Sequence, residues 1–374
     1  MSSKTRVTGT DEGVEKSWPS MTTVAEGEIA APIEETTLPG VSTPGTPAGG
    51  DADGRRSSRP GQASTGGPRP ARLPAPARPG ARADRGYIPA DLIVLAYLAI
   101  TGVLVLFSAD GWRTKEDYVA IHFGYLLAVA LLALARRSGP PLLHFFRLTY
   151  PLASLPLLYQ GVQHLNRITT QNYFDDLIIQ QEALLFSCQP SQVFHAILPW
   201  AVLSELLHVA YLSYTLVFAV IALTLYFSRR YEPLKVFIST IMLTFLSCYL
   251  IFTFFPVQGP FHHFGPLVPT GEGGVFQSLT HRLLTQASSV GTAFPSSHVA
   301  ASVAAWLVCR RYLRRFSWAV LLIAGGITIG TVYGGFHYAI DALAGLVVGI
   351  TTGLLGPRIH GWIERAARLR PRTA

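Results

Sequence analysis

Eight apolar runs, at about 88–108, 118–135, 148–163, 201–228, 234–257, 296–309, 317–335 and 336–356, restrict this chain more than any other feature. Most approach the roughly 20 residues that carry a helix across a bilayer core. A backbone in lipid must satisfy its own hydrogen bonds, so the runs predict an all-α membrane protein, a multi-pass helical bundle with about eight spanning segments. The third and sixth runs are short. Composition agrees, since 49% of the 374 residues are hydrophobic and only 14% charged, with a mean hydropathy of +0.33.

The net charge of +8 does not point to nucleic acid, because the arginines sit in the terminal tails and in short blocks between apolar runs. If each run crosses once and the N-terminus is cytoplasmic, the inner loops hold Arg136, Arg137, Arg147, Arg229, Arg230, Lys235, Arg310, Arg311, Arg314 and Arg315. The outer loops hold only Arg113, Lys115, Arg167 and Arg282. That excess predicts two cytoplasmic termini. Residues 1–86 are rich in Pro, Gly, Ser and Thr, acidic in their first part and basic in their second, and are expected to be a disordered cytoplasmic tail. No apolar core precedes Tyr87, so no cleavable signal peptide is expected. Residues 87–360 form the expected transmembrane domain, and 361–374 a basic cytoplasmic tail.

Chemistry concentrates at 294–341. Phe294-Pro295-Ser296-Ser297-His298 reads as a helix start whose hydroxyls and free N–H groups suit an oxyanion. An apolar segment then leads to the basic block Arg310–Arg315, and a second one returns to His337-Tyr338-Ala339-Ile340-Asp341. On a helix His337 and Asp341 lie one turn apart, so the carboxylate can hold one imidazole nitrogen and leave the other as nucleophile. His298 can then serve as the proton donor to a leaving oxygen. The out-and-back hairpin brings both clusters to one membrane face, which the charge count makes the extracytoplasmic one. Ionisable groups in membrane segments are costly and mark function.

Elsewhere, Leu177, Ile178, Gln181, Leu184 and Leu185 form an apolar stripe within 164–200, predicting a helix in the outer interface. Glu205 and His208 are spaced to pair with each other. The Pro- and Gly-rich turn at 255–266 puts His262 and His263 on the active face, where they are candidates for phosphate oxygens. Glycines 325, 326, 330, 334, 335, 345 and 349 predict close helix approach. Cys188, Cys248 and Cys309 fall outside, mid-membrane and near the inner surface, with neither disulfide nor metal spacing.

The two histidine motifs resemble the second and third motifs of the type 2 phosphatidic acid phosphatase superfamily, and more narrowly its inositol phosphorylceramide synthase-like branch. The resemblance implies a six-helix core, an external active site and no metal or other cofactor. It also implies that His337 forms a phosphohistidine, that Asp341 orients it, that His298 protonates the departing group and that Ser296 and Ser297 hold phosphate oxygens. The superfamily's phosphatases carry a Lys and Arg-Pro first motif and an arginine six residues before the nucleophilic histidine. Here the first is missing from the membrane part and position 331 is Thr. A dianionic monoester needs such cations more than a monoanionic diester does. The expected activity is therefore transfer of a phospho-headgroup, inositol phosphate being one candidate, from a phospholipid donor to a lipid alcohol acceptor. A lipid phosphate phosphatase using the same residues and a non-catalytic scaffold or transporter are the alternatives.

Overall fold

Proline and serine punctuation decides where the apolar runs break. The computed structural model describes residues 87–107, 116–134, 140–166, 168, 170–268 and 273–369, all within the unit Pro74–Ala374. The expected tail at 1–86 lies outside them, as do Arg113, Lys115, Arg136, Arg137 and Arg167 of the charge count. The first two runs become α1 (Pro89–Leu106) and α2 (Glu116–Leu134). The third divides into α3 (Pro141–Ala153) and α4 (Leu155–Leu165), because Pro151 and Pro156 remove helix donors on either side of Ser154. The polar segment yields α5 (Asp175–Phe186) and α6 (Pro190–Ile197). The fourth run divides into α7 (Ala201–Leu212) and α8 (Tyr214–Phe227), bent by 48°. At that break the Ser213 hydroxyl donates to the Ala210 carbonyl at 2.7 Å, a back-bond that bends helices. Then follow α9 (Tyr231–Phe254), the single turn α10 (Pro260–His263), α11 (Val275–Ala287), α12 (Ser297–Tyr312), α13 (Ser317–Tyr333) and α14 (Ala339–Leu369).

Among the described residues every regular element is a helix. By length and apolarity α1, α9 and Ala339–Ala366 of α14 can cross a bilayer, as can α7 and α8 if the bent pair is one span. His122–Leu132 of α2 and the whole of α13 are shorter apolar helices. Residues 361–369 continue α14, since Glu, Ala and Arg are good helix formers and His360 faces Glu364 one turn on at 3.8 Å. One expectation is corrected. Arg147, assigned to an inner loop, is buried in α3, where its guanidinium donates to Asp91 of α1. Each charge answers the desolvation of the other.

The centre is α9, buried along most of its length and packed against α1, α3, α4, α8, α12 and α14. Its Thr244 hydroxyl meets that of Thr352 on α14 at 2.7 Å. Beside it α12 and α14 approach closely because α14 carries a glycine every fourth residue. A Cβ at Gly345 would fall 2.6 Å from the Ser296 carbonyl oxygen, and one at Gly349 2.5 Å from that of Ala300. Gly326 and Gly330 of α13 lie as close to α7. Gly325 faces open space, so it plays no part in the expected approach.

Candidate active site

Ser296 caps α12, its hydroxyl accepting from the Val299 N–H at 3.5 Å, so the Pro-Ser-Ser signature is a helix start as read. Its own N–H donates to the Asp341 carbonyl at 2.9 Å, which joins the first turns of α12 and α14. Between α13 and α14 the chain reverses tightly. Gly335 adopts φ +69, and the N–H groups of Phe336 and His337 both donate to the Thr331 carbonyl at 3.0 Å. Only glycine takes that backbone conformation without strain. The reversal sets His337 at the head of α14, and Asp341 Oδ2 accepts from the Tyr338 N–H at 2.9 Å.

This brings the two histidine clusters together. The rings of His298 and His337 lie 6.0 Å apart between centroids, and His337 Nδ1 is 3.5 Å from Asp341 Oδ2. His337 and Asp341 are buried. His298 Nδ1, His337 Nδ1 and Asp341 Oδ1 have no hydrogen-bond partner, and buried polar atoms left open are exceptional enough to require a reason. His298 is flanked by Tyr211 and Tyr214, with ring centroids at 4.8 and 4.5 Å. The bend between α7 and α8 falls between these tyrosines and turns both rings onto the imidazole.

The surrounding loops are fixed by two carboxylates that the sequence did not single out as site residues. Asp175 accepts from the N–H groups of Gln258 and Gly259 at 2.8 and 3.0 Å and from the Tyr338 hydroxyl at 3.1 Å. Glu182 accepts from the Ala339 and Ile340 N–H groups, at 2.5 and 3.2 Å, and so caps α14 from outside. Gly259 sits at φ +83, where a Cβ would lie 3.0 Å from the Phe336 carbonyl oxygen. The acidic side of α5 therefore faces inward. Of the predicted stripe only Ile178 is buried, whereas Leu177, Leu184 and Leu185 are exposed, as a helix in the interface requires.

The remaining candidates separate from this centre. Ser297 is the first residue of α12 and is buried beside Ser296. His262 bonds through Nε2 to the Ser288 hydroxyl at 2.8 Å, and burial holds its imidazole below the ordinary pKa, against the pull of nearby Asp175. His263 is exposed with its ring edge on Phe264. Among the described residues neither has a hydrogen bond or ring contact with His298, His337 or Asp341. The predicted Glu205–His208 pair is electrostatic only, and the hydrogen bonds of both residues go elsewhere. Glu205 accepts from the Phe276 and Gln277 N–H groups at the start of α11, both at 3.1 Å, and His208 Nδ1 meets the Ser204 carbonyl at 2.6 Å. Orphan helix N–H groups are stronger claimants for a carboxylate than a neutral imidazole. Thr331 turns its hydroxyl to the Thr328 carbonyl at 2.9 Å and so adds nothing to the missing cationic clamp. The three cysteines are free, Cys188 exposed and the others buried. Glu232, His360 and Glu364 could hold a metal ion, but they belong to the start of α9 and the last turns of α14, away from the histidine pair in sequence and fold.

Two imidazoles, one backed by a carboxylate, now stand side by side between α7, α12 and the head of α14. Residues 176–355 match the family model of the PAP2 superfamily. That segment runs from α5 into α14 and contains Glu182, His298, His337 and Asp341, so it supports the superfamily and, at that level, a membrane enzyme of the phosphatase or phosphotransferase type. No curated protein and no solved structure matches the chain.

Proposed function

We propose that this protein is a lipid phosphotransferase that moves a phospho-headgroup from a phospholipid to a lipid alcohol through a phosphohistidine on His337. The observation that carries the reading is the placement of the His298 ring 6.0 Å, between centroids, from that of a carboxylate-backed His337, with no cationic clamp bonded to either among the described residues. Two groups that must touch one phosphorus and its leaving oxygen need to lie well within about 10 Å of each other. With His337 Nδ1 turned to Asp341, Nε2 is the nitrogen that attacks phosphorus in this scheme. The phosphorus–oxygen bond to the diacylglycerol breaks, and His298 gives its proton to that oxygen. The headgroup phosphate remains on His337. An acceptor hydroxyl then attacks phosphorus, the phosphorus–nitrogen bond breaks, and His298 takes the acceptor's proton. No metal or cofactor enters this scheme.

In the same proposal the bundle crosses the membrane about eight times around a six-helix core, with both termini cytoplasmic and the site toward the outer leaflet. The inositol phosphorylceramide synthase-like branch is the favoured placement, because it too lacks the arginine replaced here by Thr331. The test incubates purified full-length protein in vesicles with headgroup-labelled phosphatidylinositol and a lipid alcohol such as ceramide or diacylglycerol. Appearance of label in the acceptor lipid supports the proposal. Release of inorganic phosphate from phosphatidate, without any acceptor dependence, makes the protein a phosphatase. Loss of neither activity in His337→Ala excludes the covalent route.

A further inference from the structure

On the other side of Phe336 from the catalytic histidines lies a second polar cluster that the two half-reactions do not use. It is built by α6, α7, α11 and the end of α13. The Ser204 hydroxyl donates to Gln277 Oε1 at 3.2 Å, and both residues are buried. His208 and His281 place their ring centroids 6.1 Å apart and are 1% and 2% exposed. His195 lies with its ring 5.1 Å from that of Tyr333, close enough to be felt electrostatically by both other histidines. His208 commits Nδ1 to the Ser204 carbonyl, while its buried Nε2 has no partner. One turn before His195 on α6, the Ser191 hydroxyl and the Gln192 amide nitrogen are likewise buried and unpartnered. Phe336 contacts this cluster at 5.5 Å from His208 and 6.2 Å from His281, and it contacts Tyr211, the neighbour of His298, at 4.8 Å.

The helix that closes this space, α11, buries a polar face and leaves a mixed face, Arg282, Thr285 and Gln286 among apolar residues, outside. Its buried residues are Gln277, Thr280 and His281, whereas Val275, Phe276, Leu279 and Leu283 are exposed. A helix that turns its polar face inward is explained by something polar beneath it. The neighbouring carboxylate, Glu205, is felt electrostatically by His208 but spends its hydrogen bonds on the first N–H groups of α11. Burial, and then the neighbouring His208 and His195, lower His281 to about 4, and burial lowers His195, so both rings are neutral at neutral pH. Neutral imidazole, carboxamide and hydroxyl groups offer donors and acceptors in similar number, which matches hydroxyls better than a phosphate dianion or an ammonium group.

We infer that the cluster of His195, Ser204, His208, Gln277, His281 and Tyr333 is a subsite for a neutral, multiply hydroxylated headgroup held next to His337. The inference rests on the transferase reading, because a headgroup that stays on the enzyme between half-reactions needs a hold independent of the departing lipid. Its test is made separable from that reading by using binding alone. Full-length His337→Ala protein in detergent is titrated by calorimetry with three soluble deacylated probes, glycerophosphoinositol, glycerophosphocholine and glycerol 3-phosphate. Glycerophosphoinositol should bind at least about 10-fold more tightly than the other two, the equivalent of about 1.4 kcal/mol. Adding Gln277→Leu, or Gln277→Glu should the first variant not fold, should remove that preference while leaving glycerol 3-phosphate affinity unchanged. Equal affinity for the three probes, no binding, tighter binding of glycerophosphocholine, or a preference that survives both Gln277 variants would overturn the subsite. Headgroup transfer by the wild-type protein is scored separately, so failure of the chemistry and failure of the subsite are read from different experiments.

Discussion

The chemistry is set by a few side chains whose partners lie far away in sequence. Asp341, in the first turn of α14, backs His337 just ahead of that helix, and replacing it with Asn removes the charge while keeping the shape. We expect Asp341→Asn to lower kcat by about 10²- to 10⁴-fold with little change in KM, as measured by headgroup transfer, because an orienting charge acts mainly on the transition state. Glu182 gives a different signature. Burial raises its carboxyl to about 7, partly opposed by the Ile340 and Ala339 N–H groups. The folded chain therefore holds that proton more tightly than the unfolded chain does. The resulting stability is fully present below about pH 4.5 and is lost as pH rises through about 7. Glu182→Gln still accepts from both N–H groups but cannot ionise, so thermal unfolding followed from pH 5 to pH 8 should depend less on pH than in the wild-type protein. An unchanged pH dependence would remove Glu182 from this account.

At the scale of elements, the site depends on how closely α12 and α14 approach. The Gly345 and Gly349 positions leave no room for a side chain against the Ser296 and Ala300 carbonyls. Gly349→Leu is expected to cost about 1–3 kcal/mol of stability through overpacking. It should also lower activity more than Gly325→Leu, which enters open space. The sequence made this pairing legible because short signals sufficed: a proline and two serines to start α12, His and Asp four residues apart to start α14, and glycines between. It did not reveal Asp175 or Glu182 as clamps. Their donors are backbone N–H groups 83 and 157 residues away, which leave no local pattern. Nor did it show α11, whose polar buried face gives no apolar run to find. The break of the third run was foreshadowed by its shortness, but the division at Ser154 depends on two prolines acting together.

Across the molecule, α5 and α11 share one arrangement. Each buries a few polar residues, Asp175 and Glu182 on α5 and Gln277, Thr280 and His281 on α11, and leaves Leu184, Leu185, Leu279 and Leu283 exposed. Such helices would lie in the outer interface and admit lipid from the side. Replacing Leu184 and Leu283 together by Lys should therefore raise KM for long-chain lipid in vesicles while sparing a short-chain soluble analogue. Sidedness has its own reporter, since Cys188 beside α5 is exposed and the other two cysteines are buried. A membrane-impermeant maleimide added to intact cells should label this protein at Cys188, and labelling only after lysis would place the site on the cytoplasmic face.

The central claim, that His337 and His298 act on one phosphorus, is tested most directly by trapping the intermediate. Full-length protein is mixed with phosphatidylinositol carrying radiolabelled phosphate, quenched in alkali, and its peptides are mapped by mass spectrometry. The account predicts an acid-labile, alkali-stable phosphoinositol adduct on His337 that is absent from His337→Ala and is discharged when a lipid alcohol is added. Headgroup transfer at wild-type rate by a protein that never carries label on His337 would contradict it.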